Sequence, residues 1–332
     1  MQLNENLITR IFNDFNKLKV LIVGDVMMDA YYKGKVERIS PEAPVPIVNV
    51  EEKENRLGGA ANVAINVKEL GATPILCSVV GNDENSAIFK HLLKDNNLSP
   101  EGILTLNNRI TTVKTRVIGN NHQLIRIDEE DENDLTEEEG EQLLHKIAHI
   151  VENQTIDVII FEDYNKGVLT KEVIEAILLM AKSKNIPTAV DPKKKNFFEY
   201  KHTSLFKPNL KELKEAYNVE ISKDDLETLK QTLDRLQQDL ATEICFVTLS
   251  SNGVAIQKDE FLHTPAHVRK IADVSGAGDT VISVASLCLA LNLTPTVIAE
   301  LSNLAGGLVC EKVGVSPINK TQFLNEALLK LT

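Results

Sequence analysis

Val20-Leu21-Ile22-Val23-Gly24-Asp25 is a short, β-branched apolar run that ends on turn residues, the pattern of a strand buried on both faces. Further runs repeat it at Pro74 to Val80, Val158 to Phe161, Thr188 to Asp191, Ser204 to Lys207 and Ile244 to Leu249, several closing on a polar or acidic residue. Helical stretches lie between them, at Ala60 to Leu70, Ser86 to Asn96, Lys171 to Lys184, Leu210 to Tyr217 and Asp224 to Leu240. A strand that is apolar throughout needs cover on both faces, and parallel neighbours need crossover helices between them. The alternation therefore predicts an α/β fold with a mostly parallel sheet between helices, and ligands at the strand C-termini.

Two segments break the alternation. Tyr31 to Glu51 holds Pro41, Pro44 and Pro46 beside Val45, Ile47 and Val48. Ile110 to Ile127 alternates along Thr112-Val113-Lys114-Thr115-Arg116-Val117-Ile118, turns at Gly119-Asn120-Asn121 and resumes at Leu124-Ile125-Arg126-Ile127, as a hairpin does. These strands are expected to form a small separate sheet that covers a site or meets another subunit; the competing reading is an edge extension of the main sheet. Acidic Asp128 to Glu141 reads as a solvated loop leading into a helix.

With 332 residues, 43% of them hydrophobic, the chain can bury a large core as one large domain or two ordinary ones. A formal net charge of −12 argues against nucleic acid or an anionic membrane as partner, so a phosphorylated ligand would need a local basic cluster. Cys77, Cys245, Cys288 and Cys310 have no paired spacing, which points away from a disulfide framework or zinc site and toward a reducing cytoplasm. Met1 to Leu18 is polar and amphipathic, unlike a secretory signal, and no apolar run reaches the roughly 18 residues of a membrane span.

The segment richest in chemistry is Asp273-Val274-Ser275-Gly276-Ala277-Gly278-Asp279-Thr280, followed by apolar Val281 to Leu293. Small residues at a helix mouth let backbone N–H groups face an anion at the positive end of the dipole. A carboxylate in the same place is either a helix N-cap or a base taking a proton from a nucleophile. Gly58-Gly59-Ala60-Ala61-Asn62-Val63-Ala64 opens a helix on two glycines, suited to tight helix–sheet packing or to close approach of a ligand. Asp25 and Asp29, flanking the first strand's end, could accept bonds from sugar hydroxyls. Asn209-Leu210-Lys211-Glu212 puts two oxygen-bearing side chains three apart, as a capping box or as magnesium ligands, directly or through water. Val247-Thr248-Leu249-Ser250-Ser251-Asn252-Gly253 runs from strand to hydroxyl-rich turn, while Asp163-Tyr164-Asn165-Lys166-Gly167 and Asp191-Pro192-Lys193 are strand-end loops carrying lysines.

Taken in order, the Gly58 to Asn62, Asn209 to Glu212 and Asp273 to Thr280 segments resemble three signatures of the ribokinase-like (PfkB) carbohydrate kinases, and the likeness runs from Val20 to Ile318. It implies a single three-layer α/β/α kinase domain over 1–332, with a β lid formed by about 31–51 and 110–128. It implies that Asp279 is the catalytic base and that amides around Gly276, Ala277 and Gly278 form an anion hole. Asp29, the Gly58-Gly59 pair and Asn62 become sugar contacts, and Asn209, Ser250, Gly253, Gly278 and Asn303 nucleotide contacts. ATP and magnesium follow as cofactors, with Asn209 and Glu212 toward magnesium, and potassium at Asp273 and Ser275. A homodimer through the lid is also implied.

Within the family, Val23-Gly24-Asp25-Val26-Met27-Met28-Asp29, Arg38-Ile39-Ser40-Pro41-Glu42-Ala43-Pro44-Val45-Pro46, His122 to Asp128, Asp163 to Thr170 and Asp191-Pro192-Lys193 are similar to the heptose 7-phosphate kinases of ADP-heptose synthesis, which makes lipopolysaccharide core precursor. The implied reaction takes the anomeric hydroxyl of D-glycero-D-manno-heptose 7-phosphate to the 1,7-bisphosphate. Many relatives carry a second, nucleotidyltransferase domain; this sequence has no His-x-Gly-His motif, so the expectation is that it stops at the bisphosphate. Among Arg116, Arg126, Lys114, Lys166 and Lys193, we expect Arg116 and Lys193 to hold the substrate's existing phosphate. The rival readings are a family kinase for another sugar or nucleoside, such as ribose, fructose or adenosine, and a silent nucleotide-binding regulator.

Overall fold

The computed structural model describes residues 3–222, 224–312 and 314–332. Helix α1 (Glu5–Asp14) leads into β1 (Lys19–Gly24), and β2 (Val26–Ile39), β3 (Pro46–Gly59), α2 (Ala60–Glu69), β4 (Thr73–Gly81), α3 (Glu84–Asp95) and β5 (Ile103–Leu106) follow. The chain continues through β6 (Val113–Gly119), β7 (His122–Glu129), α4 (Glu137–Asn153), β8 (Val158–Glu162), α5 (Lys171–Ser183), β9 (Thr188–Asp191), β10 (Leu205–Phe206), α6 (Leu210–Tyr217) and α7 (Leu226–Leu240). It closes with β11 (Ile244–Thr248), β12 (Val254–Gln257), β13 (Phe261–Thr264), α8 (Ala277–Ala290), α9 (Pro295–Val309) and α10 (Lys320–Lys330).

The main sheet has nine strands in the order β13-β12-β11-β10-β9-β8-β1-β4-β5. It is parallel from β5 to β11, while β12 and β13 add antiparallel at one edge. The apolar inner strands are covered on both sides, as their composition requires. One core packs α2, α8 and α9 through Val63, Val67, Ile282, Leu287, Ile298 and Leu301; the other packs α4, α5 and α7 through Leu143, Ile147, Ile174, Ile177 and Leu233.

From β1 the chain steps to β4 and β5 on one side, and from β8 to β9, β10 and β11 on the other. Strand order thus reverses between β1 and β8, and in such sheets a crevice opens at the C-terminal ends of the two strands. Asp25 and Glu162–Lys166 occupy those ends.

The inserted strands form a second, four-stranded sheet in the order β3-β2-β6-β7, rather than an edge extension of the first. Asn120 and Asn121 both adopt left-handed φ (51° and 65°), so β6 and β7 join through the two-residue turn their sequence indicates. This sheet reaches beyond the segments 31–51 and 110–128: its strands occupy 26–39, 46–59, 113–119 and 122–129. Two physical reasons explain the difference. Val26 to Tyr31 is buried at every position, so it shows no alternation and reads as a continuation of β1. Glu51 to Arg56 is too charged to read as strand, yet ion pairs across the ladder hold it there: Lys33 Nζ lies 3.2 Å from Glu52 and 2.9 Å from Glu54. Since β2 leaves directly from β1, the lid grows out of the crevice itself.

Among the described residues, no helix is long and apolar enough to cross a membrane. The four cysteines are free and buried.

Candidate active site

Asp279 sits in the first turn of α8, buried, with both carboxylate oxygens engaged. Oδ2 accepts from Asn62 Nδ2 at 2.6 Å and Oδ1 from the Tyr164 hydroxyl at 2.9 Å. The helix mouth is set by Gly276, whose φ of 79° is a left-handed value that glycine adopts without strain. A Cβ there would lie 3.3 Å from Asn62 Nδ2, so the small residue also admits α2. The Ala277 N–H donates to Val274 at 3.3 Å and closes the turn, while Gly278 lies against Asp191 and Lys207.

Burial is the largest influence on Asp279 and raises its proton affinity, with Asp191 adding to it; the Asn62 and Tyr164 hydrogen bonds and the Lys207 charge oppose them, and the net pKa stays above the ordinary aspartate value. Asp191 is paired with Lys207 at 2.7 Å and Lys193 at 3.3 Å. Burial pushes Asp191 up, but the two lysines outweigh it and hold it below the ordinary value.

The diglycine is explained by packing. Gly59 has φ 59°, and a Cβ on it would stand 2.4 Å from the Asp25 carbonyl; one on Gly58 would stand 2.5 Å from an Asp29 carboxylate oxygen. Asn62 is brought to Asp279, and Asn66, one turn on, accepts from Thr280 Oγ1 at 3.1 Å and from the Ile318 N–H at 3.0 Å. These bonds tie α2, α8 and the chain before α10 together.

Asp25 is corrected as a candidate sugar contact. Its carboxylate is 1% exposed and accepts the N–H groups of Tyr164 (2.8 Å), Lys166 (3.1 Å) and Val168 (3.1 Å), so it anchors the loop after β8. Burial still leaves its pKa above the ordinary value.

The expected phosphate cations all have protein partners. Arg116 pairs with Asp29, which is buried on β2, and its guanidinium lies 5.4 Å from the Tyr31 ring centre. Lys193 bonds Glu212 Oε1 at 2.7 Å. Burial works against the charged form of Lys193, yet Asp191 and Glu212 raise its pKa well above the ordinary lysine value. Lys114 pairs with Asp128 and Glu130, Arg126 with Asp128, and Lys166 with Glu130 and Glu132. These three pair with carboxylates of β7 and of the segment that follows it.

Asn209 and Glu212 form the capping box of α6: Asn209 Oδ1 accepts the Glu212 N–H at 2.9 Å and Glu212 Oε2 accepts the Asn209 N–H at 2.8 Å. Asn209 also bridges to Thr248, which sets it beside the turn of Ser250 (φ 56°) and Gly253 (φ 87°). Asn303, on α9, donates to the Pro265 carbonyl at 2.8 Å and so steadies the segment leading to Asp273. Asp273 accepts from Ser275 N–H (3.0 Å), Ser275 Oγ (2.8 Å) and Gly314 N–H (2.9 Å). Burial raises its pKa, but these donors outweigh it and keep the group below the ordinary value. Among the described residues, no cluster of three or more His, Cys, Asp or Glu is arranged to hold a metal ion.

A model of the pfkB family of carbohydrate kinases matches residues 17–322. The chain belongs to this family. It is a phosphotransferase acting on a sugar hydroxyl, and the family uses ATP. This pfkB kinase is 36% identical over 321 residues to the bifunctional protein HldE of Geotalea uraniireducens, covering 96% of the chain and 65% of the relative. It is 39% identical over 297 residues to the bifunctional protein HldE of Helicobacter pylori strain J99, covering 89% and 63% respectively. The chain thus spans slightly less than two thirds of the length of these relatives. Phosphofructokinase-2 from Escherichia coli, solved in complex with potassium, shares the fold: TM-score 0.76 at 18% identity over 95% of this chain and 99% of that one.

Sequence reasoning missed Tyr164, Asn66, Lys207 and Glu162 in the kinase's crevice. Tyr164 and Lys207 reach Asp279 and Asp191 from the ends of β8 and β10, and Asn66 reaches Thr280 from α2, so none adjoins in sequence the residue that it bonds. Glu162 could have been found: a glutamate closing the apolar run Val158 to Phe161 marks a strand end that faces ligand or partner charge. It is fully buried, and neither carboxylate oxygen has a hydrogen-bond partner among the described residues. Burial first, then Asp191 and Asp279, push its pKa well up.

Proposed function

We propose that this kinase transfers the γ-phosphoryl group of ATP to the anomeric hydroxyl of D-glycero-D-manno-heptose 7-phosphate, giving the 1,7-bisphosphate as an ADP-heptose precursor in the cytoplasm. The observation that carries the reading is the placement of Asp279, a buried carboxylate at the mouth of α8 and at the reversal point of the sheet. The likeness to the two HldE proteins supports the choice of sugar, because it runs over most of the chain.

Asp279 takes the hydroxyl proton as the sugar oxygen attacks the γ-phosphorus. The Gly276 and Gly278 amides, with the α8 dipole behind them, would meet the charge on the transferring group. Gly58, Gly59, Asn62 and Asp29 would line the sugar side, and Asn209, Ser250, Gly253 and Asn303 the nucleotide side. Both oxygens of Glu212 already accept bonds, from Lys193 and the Asn209 N–H, which fits magnesium held through its water shell rather than directly. When bound, magnesium would neutralise phosphate charge. Asp273, kept ionised by its donors, fits a cation and with Ser275 would hold potassium. The 7-phosphate would draw Arg116 from Asp29 and Lys193 from its carboxylates, as a dianion outcompetes a single charge.

The lid supports a homodimer. Its edge strand β7 exposes Ile125 (55%) and Ile127, and the end of β2 exposes Ile39, apolar groups that pairing across a twofold would cover. Sedimentation at micromolar concentration is expected to give a dimer, and a monomer would remove this proposal.

Coupled ADP release tests the substrate. Heptose 7-phosphate should be turned over in preference to ribose, fructose and adenosine. Preference for one of those would replace the sugar, and no ADP with any of them would favour a silent regulator.

A further inference from the structure

Tyr164 has no part in the mechanism above, yet its phenol is the second donor to the proposed base. The ring is held from several sides. Its backbone N–H is anchored on Asp25, and Asn165 beside it takes a left-handed φ of 55°. Asp163 accepts from the Tyr200 hydroxyl and the Asn165 N–H, both at 2.8 Å. Lys193 Nζ lies 5.3 Å from the Tyr164 ring centre. Held this way, the hydroxyl donates a hydrogen bond to Asp279 Oδ1 at 2.9 Å. The other oxygen bonds Asn62, one turn beyond the diglycine.

We infer that Tyr164 is a positioning residue for proton removal: its hydroxyl pins Oδ1 and keeps Asp279 ionised, leaving Oδ2, on the Asn62 side, to receive the sugar proton. The inference rests on Asp279 being the base.

The charges around Asp279 make such a donor necessary. Burial disfavours an ionised carboxylate there, and Asp191 at the end of β9 disfavours it further. Against them stand Lys207, just past β10, and two neutral donors, Asn62 from α2 and Tyr164 from the β8–α5 loop. Lys193 acts on the Tyr164 ring and on Asp191. A hydrogen bond to the charged form favours that form, so removing the phenol hydroxyl must raise the pH at which Asp279 loses its proton.

The test is the pH dependence of kcat/KM for heptose 7-phosphate in wild type, Tyr164→Phe, and a protein with 3-fluorotyrosine at 164, a stronger donor of nearly the same size. The phenylalanine variant should move the acid limb up by about one pH unit, and the fluorinated protein should move it down. The KM for ATP should be unchanged in both. Coincident acid limbs, or a loss equal at every pH, would overturn the inference. If Tyr164→Phe fails to fold, the fluorinated protein decides by the sign of its shift. Asp279→Asn, run alongside, separates the two ideas. A silent Asp279→Asn with coincident limbs removes only the role of Tyr164, whereas an active Asp279→Asn removes the base itself.

Discussion

Asp279→Asn is expected to lower kcat by about 10²- to 10⁴-fold, the usual contribution of a general base, with little change in ATP binding. The substitution keeps the shape of the side chain and one acceptor oxygen, so one of the bonds from Asn62 and Tyr164 survives. It also removes a buried negative charge near Asp191, which offsets part of the lost bond. The stability change should therefore stay near about 1 kcal/mol, and thermal unfolding measured beside the kinetics would separate lost chemistry from lost fold. The wild-type enzyme gives a second signature. Because Asp279 must be ionised to act, and burial and Asp191 place its pKa above the ordinary aspartate value, activity should fall with decreasing pH at a point above that value.

Asp25→Ala is expected to produce the largest loss of stability. It removes the acceptor for three N–H groups in a loop whose turn geometry leaves them facing inward. Each unsatisfied buried donor costs about 1–3 kcal/mol, so a total of about 3 kcal/mol or more follows if water fails to replace the carboxylate. The same loop carries Tyr164, so turnover should fall with stability. Asp25→Asn retains one acceptor oxygen and should lie between wild type and alanine in urea denaturation. An alanine variant as stable as wild type would mean that the loop is held by other contacts.

Much of the fold is legible in the sequence because its strands are apolar throughout. Thr188–Asp191 and Leu210–Tyr217 stand where periodicity places them, and Asn120-Asn121 forms the turn its residues favour. The antiparallel pair Val254–Gln257 and Phe261–Thr264 was not legible, since strands of four residues give little pattern. At the site, Asp279 and Asn62 meet although 217 positions separate them. Asn209 and Glu212 are the capping box that local spacing favours, and the proposed metal role would add to that geometry without replacing it. The distribution of charge was least legible. Arg116 and Lys193 looked like free phosphate cations, but a chain with excess carboxylate supplies partners for many of its lysines and arginines, and only the folded chain shows that these partners are Asp29, Asp191 and Glu212.

The proposed reaction is transfer to an anomeric oxygen of a sugar that already bears a phosphate. Phosphorus NMR of a reaction with ATP and heptose 7-phosphate tests it most directly. A new resonance coupled to the anomeric proton, growing with ADP while the 7-phosphate signal persists, is predicted. ADP formation with phosphate placed on another carbon, or no product resonance while another sugar is phosphorylated, would contradict it.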